Sequence, residues 1–208
     1  MLIGDLLKNS AKKYPNKIAI IEGSNSATFR ELNQAANQIA NAVIQKTIQK
    51  ENNIGILSAN YFEYPAIYFG LAKSGHILAH LSTRFSSAEL THVIKDTNIT
   101  LIFIHTSLLS QVKGLLQNLP KLKDIIVFGG DNFGNIDDIR ILSLEQFIKS
   151  SSAAEPVVEI RTKDPFAITF TGGTTGFPKG GVVSHESRVI ASVRGEREYD
   201  ISNHDINC

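Results

Sequence analysis

The feature that most constrains this chain is a series of short, continuous apolar runs separated by helix-length amphipathic stretches. Ile54–Leu57, Ile77–Leu81, Ile99–Ile104, Asp124–Phe128 and Phe166–Phe170 are each strand-sized. An unbroken apolar run suits a strand buried on both faces, and strands of that kind alternating with helices build a mainly parallel sheet flanked by helices. The expected fold class is therefore α/β. The strand Lys17–Glu22 and a first helix over residues 2–13 precede the series. Thr28 with Glu31 three residues on has capping-box spacing, and it opens the clearest amphipathic helix, carrying Leu32, Ala36, Ile39, Ala40 and Val43 on one face. Further helices are expected over 61–72, from Ser86 or Ser87 to Lys95, over 108–116 and over 144–149. Gly75 is placed to end the first of these. Ser150–Pro156 is small and polar and reads as a linker or surface loop. No internal repeat is visible.

Composition narrows the function classes. The 208 residues hold 21 Lys and Arg against 20 Asp and Glu, and 42% are hydrophobic. That is a globular balance with a formal charge of +1, so neither a disordered chain nor a nucleic-acid binder relying on overall basicity fits. The one cysteine, Cys208, excludes an intrachain disulfide and a cysteine-rich metal site. No apolar run approaches the ~20 residues of a membrane span, and the N-terminus lacks the pattern of an export signal. A cytoplasmic location is expected.

The chemistry is concentrated in Ala167–His185, AITFTGGTTGFPKGGVVSH. A strand runs into a loop of small and hydroxylated residues, followed by Lys179 and a helix starting near Ser184. Gly172, Gly173 and Gly176 leave backbone N–H groups uncovered, Thr171, Thr174 and Thr175 add hydroxyls, and Lys179 adds a positive charge. Such donors suit polyphosphate oxygens. The loop is not a Walker loop, because Lys179 lies between Pro178 and Gly180. It is not a dinucleotide fingerprint either, because Gly172 and Gly173 are adjacent.

The stretch Phe170-Thr171-Gly172-Gly173-Thr174-Thr175-Gly176-Phe177-Pro178-Lys179-Gly180 resembles the AMP-binding signature of the adenylate-forming enzymes at every defined position. Val182-Val183-Ser184-His185 fits the usual continuation, with Gly181 standing where Val or Ala is common. Two upstream stretches are similar to the family in the expected order: Thr28–Leu32 with Ala36-Asn37, and Leu71–Gly75 with Ile77-Leu78. In the latter, His80 replaces the usual proline. The resemblance is greatest to the N-terminal part of an acyl-CoA synthetase or long-chain fatty acid–CoA ligase.

That resemblance implies adenylation of a small-molecule carboxylic acid by ATP with Mg²⁺, then transfer of the acyl group to coenzyme A. Thr171, Gly172, Gly173, Thr174, Thr175, Gly176, Phe177, Pro178 and Lys179 would form the phosphate-binding loop. Thr174 and Lys179 are the catalytic candidates, Thr174 would approach Mg²⁺ through ATP, and His185 either positions backbone or touches substrate. Gly172, where amino-acid-adenylating members usually have Ser, leans towards acyl-CoA ligases. The later family segments are not found in these 208 residues. The expected organisation is an incomplete N-terminal AMP-binding domain: an α/β portion at 1–149, a linker at 150–163 and the phosphate-loop region at 164–208. The C-terminal domain of the family is expected to lie outside these 208 residues. A truncated ligase of this kind is expected to be inactive alone, awaiting its missing portion or a complementary chain. The alternatives are a stand-alone phosphate-binding module with a separately encoded partner, and a non-functional remnant.

The other histidines are read as solvated or packed. On a strand, His76 and His80 lie ~13 Å apart, too far to share a metal. His92 and His105 have no ligand pattern beside them.

Overall fold

A computed structural model describes residues 1–47, 52–130, 140–171, 176–202 and 205, with Arg140 described by its backbone only. The chain begins with helix α1 (Ile3–Lys13), strands β1 (Ile18–Glu22) and β2 (Asn25–Thr28), and helix α2 (Phe29–Lys46). Strand β3 (Asn53–Leu57), α3 (Tyr64–Ser74), β4 (Ile77–Leu81), α4 (Ser87–Asp96) and β5 (Leu101–His105) follow. Next come α5 (Leu109–Lys113), β6 (Asp124–Phe128), β7 (Arg140–Ser143) and α6 (Leu144–Ile148). The described elements end with β8 (Pro165–Thr171), β9 (Lys179–Ser184) and α7 (His185–Glu198).

Among the described residues, β3 to β9 form one sheet in the order β7-β6-β5-β3-β4-β8-β9. Every neighbouring pair is parallel except β8 and β9, which form an antiparallel hairpin at one edge. The α/β class with a mainly parallel sheet is what the alternating pattern predicts. Within each apolar run, successive residues serve opposite faces. Ile54, Ile56, Leu78, Phe103 and Phe166 pack under α1, α2, α3, α6 and α7. Leu57, Ala79, Leu81, Ile102 and Ile104 pack under α4 and α5.

Local sequence explains most boundaries. Thr28 Oγ1 accepts the Glu31 N–H at 3.2 Å while the Glu31 carboxylate accepts the Thr28 N–H at 2.8 Å, closing the expected capping box. Ser86 and Glu89 do the same for α4. Gly75 ends α3 with φ of 76°, a left-handed conformation that glycine adopts without strain. Helix α3 starts later than residue 61, with Pro65 in its first turn. The helix expected over 108–116 is instead α5 flanked by two single 3-10 turns, with Gly114 at its C-cap. Strands β2 and β7, each only four residues, were not anticipated.

Residues 150–163, expected as a linker, run across α2 and α3. Asn33, Asn37 and Asn41 sit at helical i, i+4 spacing, and their amides donate to Glu155, to Ala153 O, and to Ser152 O and Ala154 O, respectively. The buried Lys73 ammonium donates to Asn33 and Asn37, both at 2.7 Å, and pairs with Glu155 at 2.9 Å. These contacts fix the segment that leads directly into β8.

Candidate functional site

The strand β8 carries the candidate site at its C-terminal end, where ligands of open parallel sheets bind. In the hairpin, Thr169 pairs with Gly181, Phe170 with Gly180, and Thr171 with Lys179. Thr171 and Lys179 therefore face each other across the mouth. Thr171 Oγ1 donates to Lys179 O at 3.4 Å, and both residues are exposed. Gly172, Gly173, Thr174 and Thr175, the middle of the expected phosphate loop, lie outside the described residues. A Cβ at Gly176 would meet nothing within 4 Å among the described residues.

Gly180 is required for packing. A Cβ there would stand 2.7 Å from Ile168 Cγ2 and 3.1 Å from the Phe170 ring. Gly181 is different: its nearest neighbour to such a Cβ is Thr169 O at 3.7 Å, ordinary contact, so an alanine at this position would be accommodated. The substitution to glycine leaves β9 in register.

Two aromatic contacts hold the outer flank of the hairpin. Phe170 meets the Phe85 ring edge-on at 6.1 Å. Phe177, half-exposed within the loop motif, stacks on His92 of α4 at 4.4 Å. Neither Phe85 nor His92 is marked by spacing in the sequence, because both reach the hairpin from the β4–α4–β5 crossover, far from it in sequence. The Lys179 ammonium and, once released from Lys179 O, the Thr171 hydroxyl are donors suited to phosphate oxygens.

His185 opens α7, whose N-cap Ser184 accepts the Ser187 N–H at 3.2 Å. Its ring is 1% exposed and tilts against Phe166 at 5.2 Å. Burial holds the imidazole pKa below its ordinary value, partly countered by Asp164 and Asp5, so the neutral ring accepts the Ile3 N–H through Nδ1 at 3.4 Å. The contact ties the root of the hairpin to the start of α1.

Three further histidines, His76, His80 and His105, are packed side chains. His76 bonds Thr47 Oγ1 at 2.7 Å and His80 bonds the Tyr64 hydroxyl at 2.7 Å. His105 stacks on Tyr61 at 3.6 Å and bonds Ser107 Oγ at 2.8 Å. Among the described residues, no group of three or more His, Cys, Asp or Glu side chains is arranged to hold a metal ion. No helix among them is long and apolar enough to cross a membrane.

Residues 7–206 match the AMP-binding enzyme family. The chain belongs to that family. Among curated relatives, the medium/long-chain-fatty-acid–CoA/3-oxocholest-4-en-26-oate–CoA ligase of Mycolicibacterium smegmatis is 27% identical over 186 residues, covering 88% of this chain and 33% of the relative. The long-chain-fatty-acid–CoA ligase FadD13 of Mycobacterium tuberculosis is 29% identical over 188 residues, covering 89% and 35%. The anthranilate CoA ligase AuaEII, solved with anthranoyl-AMP, superposes with a TM-score of 0.85 at 24% identity, over 94% of this chain and 37% of that one. The solved N-terminal domain of FACL13 from Mycobacterium tuberculosis gives a TM-score of 0.78 at 26% identity, over 89% and 44%. This AMP-binding family member thus spans about a third of the length of the curated relatives it matches.

Proposed function

We propose that the chain is the phosphate-binding part of an ATP-dependent acid–CoA ligase, which joins a small-molecule carboxylic acid to coenzyme A through an acyl-adenylate. The observation that carries this reading is the β8–β9 hairpin, which sets the Thr171 hydroxyl opposite Lys179 at the C-terminal end of a parallel-sheet strand. The complete signature Phe170–Gly180 spans that turn.

In this reading Lys179 and Thr171, with Gly172, Gly173, Thr174, Thr175 and the backbone up to Pro178, hold the β- and γ-phosphates. They stabilise charge as it develops on departing pyrophosphate. ATP would supply the activated phosphorus and Mg²⁺ would neutralise its phosphates, with Thr174 the residue that would approach the ion through ATP. Phe177, clasped by His92, fixes the loop's outer arm. His185 acts by position: its buried ring holds the hairpin root against α1. The names of the relatives favour fatty or other organic acids. The chain by itself binds ATP–Mg and does not turn over.

Calorimetry with ATP–Mg and with AMP tests phosphate recognition, the expected result being tighter binding of ATP–Mg. Carboxylate-dependent exchange between ATP and pyrophosphate by the chain alone is expected to be absent. Appreciable exchange would overturn the inactivity, and equal affinity for ATP–Mg and AMP would overturn the assignment of the loop.

A further inference from the structure

His80, Tyr64, Tyr68 and Arg188 form a second polar cluster, separate from the loop mouth and built from β4, α3 and α7. The Tyr64 hydroxyl lies 2.7 Å from His80 Nδ1, and the Tyr68 ring lies 5.9 Å from the His80 ring and packs edge-on against Phe166 at 5.1 Å. Burial pushes the Tyr64 pKa up to about 12, so the phenol stays protonated. Burial, aided by the Arg188 charge, pushes His80 down to about 4, so the imidazole stays neutral. A neutral ring carries a single proton, and in the tautomer that accepts the Tyr64 hydroxyl at Nδ1 that proton sits on Nε2.

Among the described residues, Nε2 of His80 has no hydrogen-bond partner. The buried Nε–H of Arg188 has none either, and a guanidinium never gives up its proton. Among the described residues, none of the ion pairs includes Arg188. Two half-buried side chains, one of them a cation, therefore each hold, in this tautomer, a donor out of water with no acceptor among the described residues. Such donors are costly unless something supplies the missing oxygen. His80 is in register with the exposed Thr169 of β8, which gives the cluster a side open to solvent.

We propose that β4, α3 and α7 form a binding site for an oxyanion, a carboxylate or phosphate group whose oxygens accept the Nε2–H of His80 and the Nε–H of Arg188. The bound anion supplies the counter-charge that the fold leaves out, and it lies beside the strand that carries the candidate phosphate loop. The site goes beyond the proposed ligase function and does not depend on it.

The test is thermal melting of the chain in sodium acetate, sodium phosphate and sodium chloride at matched ionic strength, with Arg188→Leu and Lys179→Ala run alongside. The expected result is that acetate, phosphate or both raise the wild-type melting temperature above that in chloride. The anion that does so identifies the source. Lys179→Ala keeps the response and Arg188→Leu loses it, while being at least as stable as wild type in chloride. The ring ¹⁵N signals of His80 should move with the same anion. No anion effect on the wild type at matched ionic strength overturns the proposal without needing either variant to fold. A response retained in Arg188→Leu, or one abolished by Lys179→Ala instead, places the anion elsewhere and also overturns it. A failure here leaves ATP–Mg binding at the loop untouched, so the two readings are separable.

Discussion

The middle of the sheet and its β8–β9 edge are built to opposite rules. Every residue of β5 and β6 is buried, whereas the first four residues of β9 are exposed and α7 buries only His185 and Val189. Phe103 lies in the middle at 0% exposure, while Val182 on the hairpin is 65% exposed. The hairpin is fastened at its root by Phe166 and His185 and along one flank by Phe85 and His92. The middle supplies stability through apolar burial from two faces. The edge keeps its donors in solvent, where a ligand's phosphates can reach them. Folding and binding are thus assigned to different strands of one sheet, and substitutions should separate them.

The largest effect is expected at Phe103→Ala, a large-to-small change at a fully buried position, costing about 3–5 kcal/mol in urea unfolding. Next comes the pH response. Burial holds both His76 and His80 near a pKa of about 4, against 6.5 for an exposed ring. Between those values the unfolded chain binds more protons than the folded one, so stability falls as pH drops through that window and is fully present above it. The loss is expected to reach up to about 3 kcal/mol per ring. Unfolding midpoints across the window check this, and His76→Gln should flatten the profile. If the profile is already flat in the wild type, the burial ascribed to these rings is wrong.

His185→Ala is expected to cost about 1–3 kcal/mol by leaving the Ile3 N–H without its acceptor and Phe166 without its neighbour. Hydrogen exchange should show the loss concentrated in α1 and α7. Smallest is Phe177→Ala, which removes a half-exposed ring stacked on His92 and should change stability by less than about 0.5 kcal/mol. A large loss there would mean that the edge carries folding energy after all.

The same division governs what the sequence revealed. The buried strands were legible because burial on both faces writes itself as continuous apolar runs: β4 and β6 match Ile77–Leu81 and Asp124–Phe128 residue for residue. The caps were legible because Thr28 with Glu31 and Gly75 act on near neighbours in sequence. Strands β2 and β7 escaped notice because four-residue strands carry too little pattern to stand out from loops. The Asn33, Asn37 and Asn41 stripe, read along α2 alone, looks like an ordinary solvated face, and it gains meaning only when residues 152–155 lie across it. At the site, Thr171 and Lys179 were found through motif spacing. His92, Phe85 and Arg188 were not, because their partners come from distant strands and helices.

The most direct measurement of whether the exposed edge is the binding edge is calorimetric titration of ATP–Mg into the wild type and Lys179→Ala, each paired with a thermal melt. Loss of one charge-assisted contact of about 1.5–3 kcal/mol corresponds to an affinity at least roughly tenfold weaker. The expected result is that loss of affinity in Lys179→Ala with an unchanged melting temperature. Equal affinity in the two proteins, or a variant that loses stability along with binding, would contradict the division between a folding middle and a binding edge.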